Sequence, residues 1–182
     1  WVYDLSDFST LFQDSAGTTP VTAVEQPVGL VLDKSQGLVL GAELCSNGKF
    51  EENTVGWIPG PGNAGGETFV ATGGVAVLTP TSFRYSRFKF PVTCVVGKTY
   101  ELSVDFVSGA GAILFDDSGN DSIIVSAIGP ATKTARVVAT NTTMYISCVA
   151  NSTLSPVSFD NISVKLLPGN HASQPTTTKR PV

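Results

Sequence analysis

From about Leu38 to Leu167, apolar residues recur at every second position in short runs, each broken by a cluster of Gly, Pro, Asn or Asp. Tyr100, Leu102, Val104 and Phe106 share one parity, with Glu101, Ser103 and Asp105 between them; Met144, Ile146 and Cys148 alternate with Thr143, Tyr145 and Ser147 in the same way. Successive side chains of an extended chain point to opposite faces, so each run has one face to bury and one to leave in water. Two antiparallel sheets packed face to face satisfy that demand. The pattern predicts strands near 38–44, 67–72, 74–79, 82–90, 92–96, 99–108, 111–116, 122–128, 132–139, 142–149 and 155–167. That many strands in one stretch predicts an all-β antiparallel sandwich of the jelly-roll type.

Composition excludes the main alternatives. Gly, Ser and Thr supply 56 of the 182 residues and only 14% are charged, which starves a helical bundle of its usual formers. Twenty-two valines and twenty threonines favour strands instead. A net charge of −4 argues against a nucleic-acid partner, and the local group Arg84, Arg87 and Lys89 is too small to reverse that. No apolar run approaches the ~18 residues of a membrane span. The only methionine is Met144, so a chain starting at Trp1 reads as processed or as part of a longer protein. Cys45, Cys94 and Cys148 are odd in number and lack CxxC spacing; they read as free buried thiols from a reducing compartment, with a Cys94–Cys148 bridge as the alternative.

The two ends read differently from the middle. In residues 1–37, Ser6-Asp7 precede Phe8, Leu11 and Phe12 at helical spacing, which predicts a turn or two of helix closed at Asp14–Gly17; Pro20 and Pro27 keep the remainder extended. Residues 168–182 are loop-like throughout. The expected division is therefore a flank at 1–37, a jelly roll at 38–167 and a second flank at 168–182.

Chemistry is concentrated at the two ends of the jelly roll. Val157 and Phe159 fall on one parity, but Ile162, Val164 and Leu166 take the other without an intervening turn, which predicts a β-bulge near Asp160-Asn161. A bulge re-aims side chains and frees carbonyls, so Glu51 and Asp160, with neighbouring backbone carbonyls, are candidate ligands for a structural Ca²⁺ tying the first strand to the last. A second candidate is a glycan platform: Phe83, Tyr85, Arg87 and Lys89 share one parity, and Tyr145 lies on the polar face of its own strand. The competing reading makes the aromatics half-buried sheet residues with cations at the rim. Trp57, after a turn glycine, reads as a plug in one end of the core. No nucleophile motif surrounds the lone His171, and Asp116, Asp117 and Asp121 read as a hairpin turn, so the chain is expected to be non-enzymatic.

Asn47-Gly48-Lys49-Phe50-Glu51, Gly56-Trp57, the run Gly97–Phe106 and Phe159-Asp160-Asn161-Ile162-Ser163-Val164-Lys165 together resemble the jelly-roll carbohydrate-binding modules of xylanases and glucanases, and their relatives in bacteriophage virion proteins. That resemblance implies a calcium site at Glu51 and Asp160. The flanks are similar to a segment of phage tail and fibre proteins in which a motif like Leu32-Asp33-Lys34-Ser35 usually runs soon into ones like Gly169-Asn170-His171-Ala172 and Arg180-Pro181, ahead of a laminin-G-like or concanavalin-like sandwich. Here the two motifs stand apart, so the jelly roll reads as a module inserted between them. The resemblance implies a non-enzymatic virion component of a tail, fibre or head decoration, assembled in the bacterial cytoplasm with other virion proteins. It further implies a homo-oligomer such as a trimer, flanks ordered against other subunits, and host-surface glycan as ligand. The alternatives are the accessory module of a secreted polysaccharide-degrading enzyme, or an architectural spacer.

Overall fold

The computed structural model describes residues 2–35, 38–61, 63, 65–81, 86–117, 123–150, 155–169 and 171–182. These residues form thirteen strands: β1 (Leu11–Phe12), β2 (Leu30–Val31), β3 (Ile58–Pro59), β4 (Thr68–Thr72), β5 (Val75–Thr79), β6 (Ser86–Thr93), β7 (Thr99–Ser108), β8 (Ala110–Asp116), β9 (Ile123–Ile128), β10 (Ala131–Val138), β11 (Thr143–Ala150), β12 (Val157–Leu167) and β13 (Ala172–Ser173). Ten of them form two five-stranded antiparallel sheets, ordered β10-β7-β12-β5-β4 and β3-β6-β11-β8-β9. Among the described residues there is no α-helix, only short 3-10 turns at Phe8–Thr10 and Thr177–Lys179.

The alternation of the sequence becomes the core directly. Tyr100, Leu102, Val104 and Phe106 of β7 join Val157, Phe159, Ile162 and Val164 of β12 from one side, and meet Ile113 and Phe115 of β8 with Met144, Ile146 and Cys148 of β11 from the other. At one end Phe50, Trp57, Phe69 and Phe90 pack as an aromatic group, Trp57 lying 5.5 Å from Phe50, 5.4 Å from Phe69 and 5.6 Å from Phe90 between ring centroids. The indole N–H of Trp57 donates to the Asn47 carbonyl at 3.0 Å, so its one polar group is satisfied while its ring is buried. Trp57 thus fills the core position expected of it, and all three cysteines are buried and free.

Two strand expectations are corrected. Residues 38–44 form no regular strand, although they run beside the second half of β12 through the Gly41 N–H to Leu166 and the Leu44 N–H to Val164, each 2.9 Å. The Glu43 carboxylate takes the Val164 N–H at 2.9 Å and the Leu44 and Cys45 N–H groups as well, displacing the carbonyl a ladder would use. Runs 82–90 and 92–96 are not two strands, since β6 passes straight through Pro91, while residues 82–85 lie outside the described residues. Its neighbour β3 reaches only Phe88 and Lys89, which leaves Pro91 at an edge where a missing N–H is tolerated.

The flanks also depart from expectation. Instead of waiting for other subunits, they pair with each other in this chain: β1 and β13 both pair with β2 in a three-stranded sheet, β13 returning from the far end of the sequence to Leu30 and Val31. Phe12, Leu30 and Leu32 pack with Leu167 of β12 and with Leu40. Arg136 of β10 fastens this sheet to the sandwich. Its guanidinium lies 4.4 Å from the Phe12 ring centre, bonds the Gly17 carbonyl at 3.1 Å and pairs with Glu101 of β7 at 2.6 Å.

The bulge in β12 sits where the parity switch placed it, as a register shift against β7 between Asp160 and Ser163. Within it the Ile162 N–H donates to the Gly48 carbonyl at 2.9 Å, and a Cβ on Gly48 would lie 1.8 Å from the Ile162 carbonyl oxygen. Gly48→Ala is therefore expected to lower stability by roughly 2–4 kcal/mol in denaturant unfolding. Gly73→Ala, at φ +62° but with nothing near its would-be Cβ, should cost only the left-handed backbone penalty of about 1–2 kcal/mol; equal losses for the two would show that the Gly48 contact is unimportant.

Candidate functional site

Two places on the sandwich gather the side chains singled out in the sequence. The first is the junction of the Asn47–Asn53 loop with the β12 bulge, which together line an open pocket of ≈ 560 Å³. Two non-glycine residues here adopt left-handed backbone, Phe50 at φ 50° and Asn161 at φ 49°. Each immediately adjoins a candidate ligand, Glu51 or Asp160, so the strain turns the chain at the points where the carboxylates project. Full burial of the Phe50 ring holds the first turn in place. The second is held by the Asn161 side chain, which donates to Asp105 of β7 at 2.8 Å, while its backbone N–H donates to Asp160 at 2.7 Å.

Like charges act on Asp160 at this junction. Partial burial, reinforced by the charges of Asp105 and Glu51, holds the Asp160 carboxyl above the usual carboxylate range, although the Asn161 backbone hydrogen bond and Lys49 pull the other way. Among the described residues, no three His, Cys, Asp or Glu side chains converge in the manner of an all-side-chain metal site. Of the two candidate carboxylates, Glu51 lines the pocket, and its charge acts on Asp160. Beneath the loop, burial and then the Glu43 charge push the Cys45 thiol up to about 12, which keeps it a neutral packing group.

The second place is the outward face of the β3-β6-β11-β8-β9 sheet. Register puts Pro91, Tyr145 and Asp116 in one row and Lys89, Ser147 and Leu114 in the next, with Arg87, Val149 and Ala112 behind them. Lys89 and Tyr145 do come together: the ammonium lies 3.9 Å from the ring centre. Arg87 does not join an open platform, because it is only 8% exposed, with Asn63 bonding its backbone N–H and carbonyl and Gly60 packed against its stem. Phe83 and Tyr85 lie outside the described residues, as do Asn120 and Asp121 of the acidic hairpin. Nor is the face uniformly polar. Ala112, Leu114 and Val149 form a small buried apolar group on it, and Ser147 is fully buried beside them.

Sequence reasoning missed Asp105 and Glu43. Asp105 was visible as a polar-face residue of β7, but only the β7–β12 register brings it to the bulge. Glu43 had no signal, because its bonds to Val164 and Ser163 cross some 120 residues.

No family model matches the chain, and no curated protein matches it. Solved structures do. The chain is similar to a family 4 carbohydrate-binding module at 16% identity and TM-score 0.50, covering 67% of this chain and 99% of that one. It is also similar to the K3 cleaved adhesin domain of Lys-gingipain from Porphyromonas gingivalis, at 11% identity and TM-score 0.50, over 70% and 98% of the two chains. The sandwich is a carbohydrate-binding-module-like jelly roll. A weaker likeness, at 16% identity and TM-score 0.47, is to the enzymatically active domain of tailspike protein 4 of bacteriophage CBA120, over 69% of this chain and 21% of that one. Identities this low speak to fold alone.

The like charges at the bulge generate a measurable asymmetry. Because the folded-state pKa of Asp160 lies above the ordinary aspartate value, its contribution to stability is fully present below the unfolded pKa and is lost as pH rises through the folded one. Asp105→Asn removes one of the two like charges and leaves an acceptor for Asn161. Titration of the Asp160 carboxyl by carbon NMR in metal-free buffer should then move downward; an unchanged titration would show that Asp105 does not act on it.

Proposed function

We propose that this chain is a non-enzymatic structural component of a bacteriophage virion, in a tail, fibre or head decoration, that displays a glycan-binding sandwich for adhesion to the host surface. The observation that carries the binding half of this reading is the Lys89–Tyr145 pair on the outward sheet face of a fold shared with carbohydrate-binding modules. The ammonium covers one face of the phenol ring, so a sugar is met not by ring stacking on that face but by the charge of Lys89 and the hydroxyl and edge of Tyr145. The virion half is supported by the flank motifs, which resemble a phage tail segment, and by their convergence into one sheet that leaves the sandwich as a displayed unit. Assembly as a homo-oligomer such as a trimer belongs to the same reading.

A glycan array probed with the purified chain should return bacterial-surface saccharides. Lys89→Ala and Tyr145→Ala should each weaken the best hit about tenfold, equivalent to ~1.4 kcal/mol. Binding unchanged in both variants removes the face from the proposal, and a blank array leaves an architectural spacer. The accessory module of a secreted polysaccharide-degrading enzyme is the competing reading, favoured by the same fold likeness; detection in purified particles supports the virion component, and detection only in culture supernatant supports the enzyme accessory.

The same reading includes a structural Ca²⁺ held by Glu51 and Asp160 with backbone carbonyls of the loop and bulge. The ion would neutralise the charges gathered at Asp160 and fasten the first turn of the sandwich to its last strand. Adding Ca²⁺ should raise the melting temperature and EDTA should lower it, with Glu51→Gln and Asp160→Asn abolishing both responses. A melting curve indifferent to either addition, with no calcium in the purified protein, removes the metal.

A further inference from the structure

The flanks meet at the chain's only histidine. His171 leads into β13, and its Nδ1 lies 3.0 Å from the backbone nitrogen of Asp33, which follows β2. A backbone N–H can only donate, so Nδ1 must be the unprotonated acceptor and the ring proton must sit on Nε2. Nε2 faces the Leu167 carbonyl at 3.4 Å, the acceptor this tautomer needs. Asp33 is completely buried, and its carboxylate accepts the N–H groups of Val2 at 2.8 Å and Ser35 at 2.9 Å. One imidazole therefore joins the N-terminal flank, the C-terminal flank and the end of β12. Gly169 packs against it, its would-be Cβ lying 3.1 Å from both the His171 ring and the Asp33 carbonyl.

We propose that His171 is an acid-labile latch: neutral, it holds the two flanks together, and protonated at Nδ1 it releases Asp33 and loosens the flank sheet while the sandwich stays folded. Protonation would put two donors face to face where one hydrogen bond now stands, against the completely buried Asp33. The charged groups around the ring are Asp33, whose carboxylate favours the imidazolium, and Arg136 of β10 with Lys98 before β7, which oppose it. Burial is the largest influence and lowers the pKa from 6.5. A depressed folded-state pKa means the latch contributes its full stability above the unfolded value and loses it as pH falls through the folded one. The apolar contacts of the β1-β2-β13 sheet are unaffected by protonation, so the expected opening is local, confined to the junction.

Hydrogen exchange on the full chain tests this, comparing about pH 7.5 with about pH 5 after correction for intrinsic rates. The Asp33 amide should lose protection several-fold while Val104 in β7 keeps its own. In His171→Asn, whose side-chain carbonyl can accept at the Nδ1 position, Asp33 should stay equally protected at both pH values. Constant protection of Asp33 in the unmodified chain, or the same loss in the variant, overturns the latch. Nitrogen NMR of the single imidazole in the unmodified chain is independent of whether the variant folds: the proposal requires the Nε2–H tautomer and a pKa below the ordinary histidine value, and an Nδ1–H tautomer or an ordinary or raised pKa refutes it.

Discussion

The hydrogen bond from the Ile162 N–H to the Gly48 carbonyl joins the first loop of the sandwich to its last strand. It forms only because β12 carries a bulge that turns Ile162 toward the loop, and only because residue 48 has no side chain in the way. Around that contact lie the left-handed turns at Phe50 and Asn161 and the seat of the Phe50 ring beside Trp57. Strand β12 is central in its sheet, paired with β7 on one side and β5 on the other, so whatever fixes its bend fixes the core face of its neighbours. The like charges of Asp105 and Glu51 acting on Asp160 work against the contact.

What was legible in the sequence was what depends on local parity. The alternation of β7 and β11, the parity break in β12 and the punctuating glycines carry local physics, and the strands and bulge appeared where those signals placed them. What was not legible depends on long-range register. Residues 38–44 alternate like a strand, yet Glu43 bonds backbone N–H groups with its own side chain and breaks the ladder. Arg87 shares parity with Lys89, but the approach of Gly60 and Asn63 buries it, and nothing in the β6 sequence announces that neighbour. The short strands β1, β2 and β13 are two residues each, too brief for any periodicity, and they exist because distant segments supply one another's partners.

The same convergence gives the chain its overall logic. Phe12, Leu30 and Leu32 bury themselves against Leu167, the last residue of β12, so the end of the sandwich is part of the flank core. Arg136 spans the two with a π contact, a carbonyl bond and an ion pair, and a single guanidinium of this kind fixes an orientation that apolar contacts alone would leave free to slide. The outward face bearing Lys89 and Tyr145 belongs to the other sheet, β3-β6-β11-β8-β9, so the face proposed for ligand and the sheet that anchors the flanks do not compete for the same surface.

The most direct test of this division is a map of ligand contact on the intact chain. Backbone amide shifts followed by NMR during titration with oligosaccharides cut from a host's surface polysaccharide should move at Lys89 and its row neighbour Ser147 and at Tyr145 and its row neighbour Asp116, leaving the β10-β7-β12-β5-β4 sheet and the flanks undisturbed. Shifts confined to the flanks or to that opposite sheet would contradict the account.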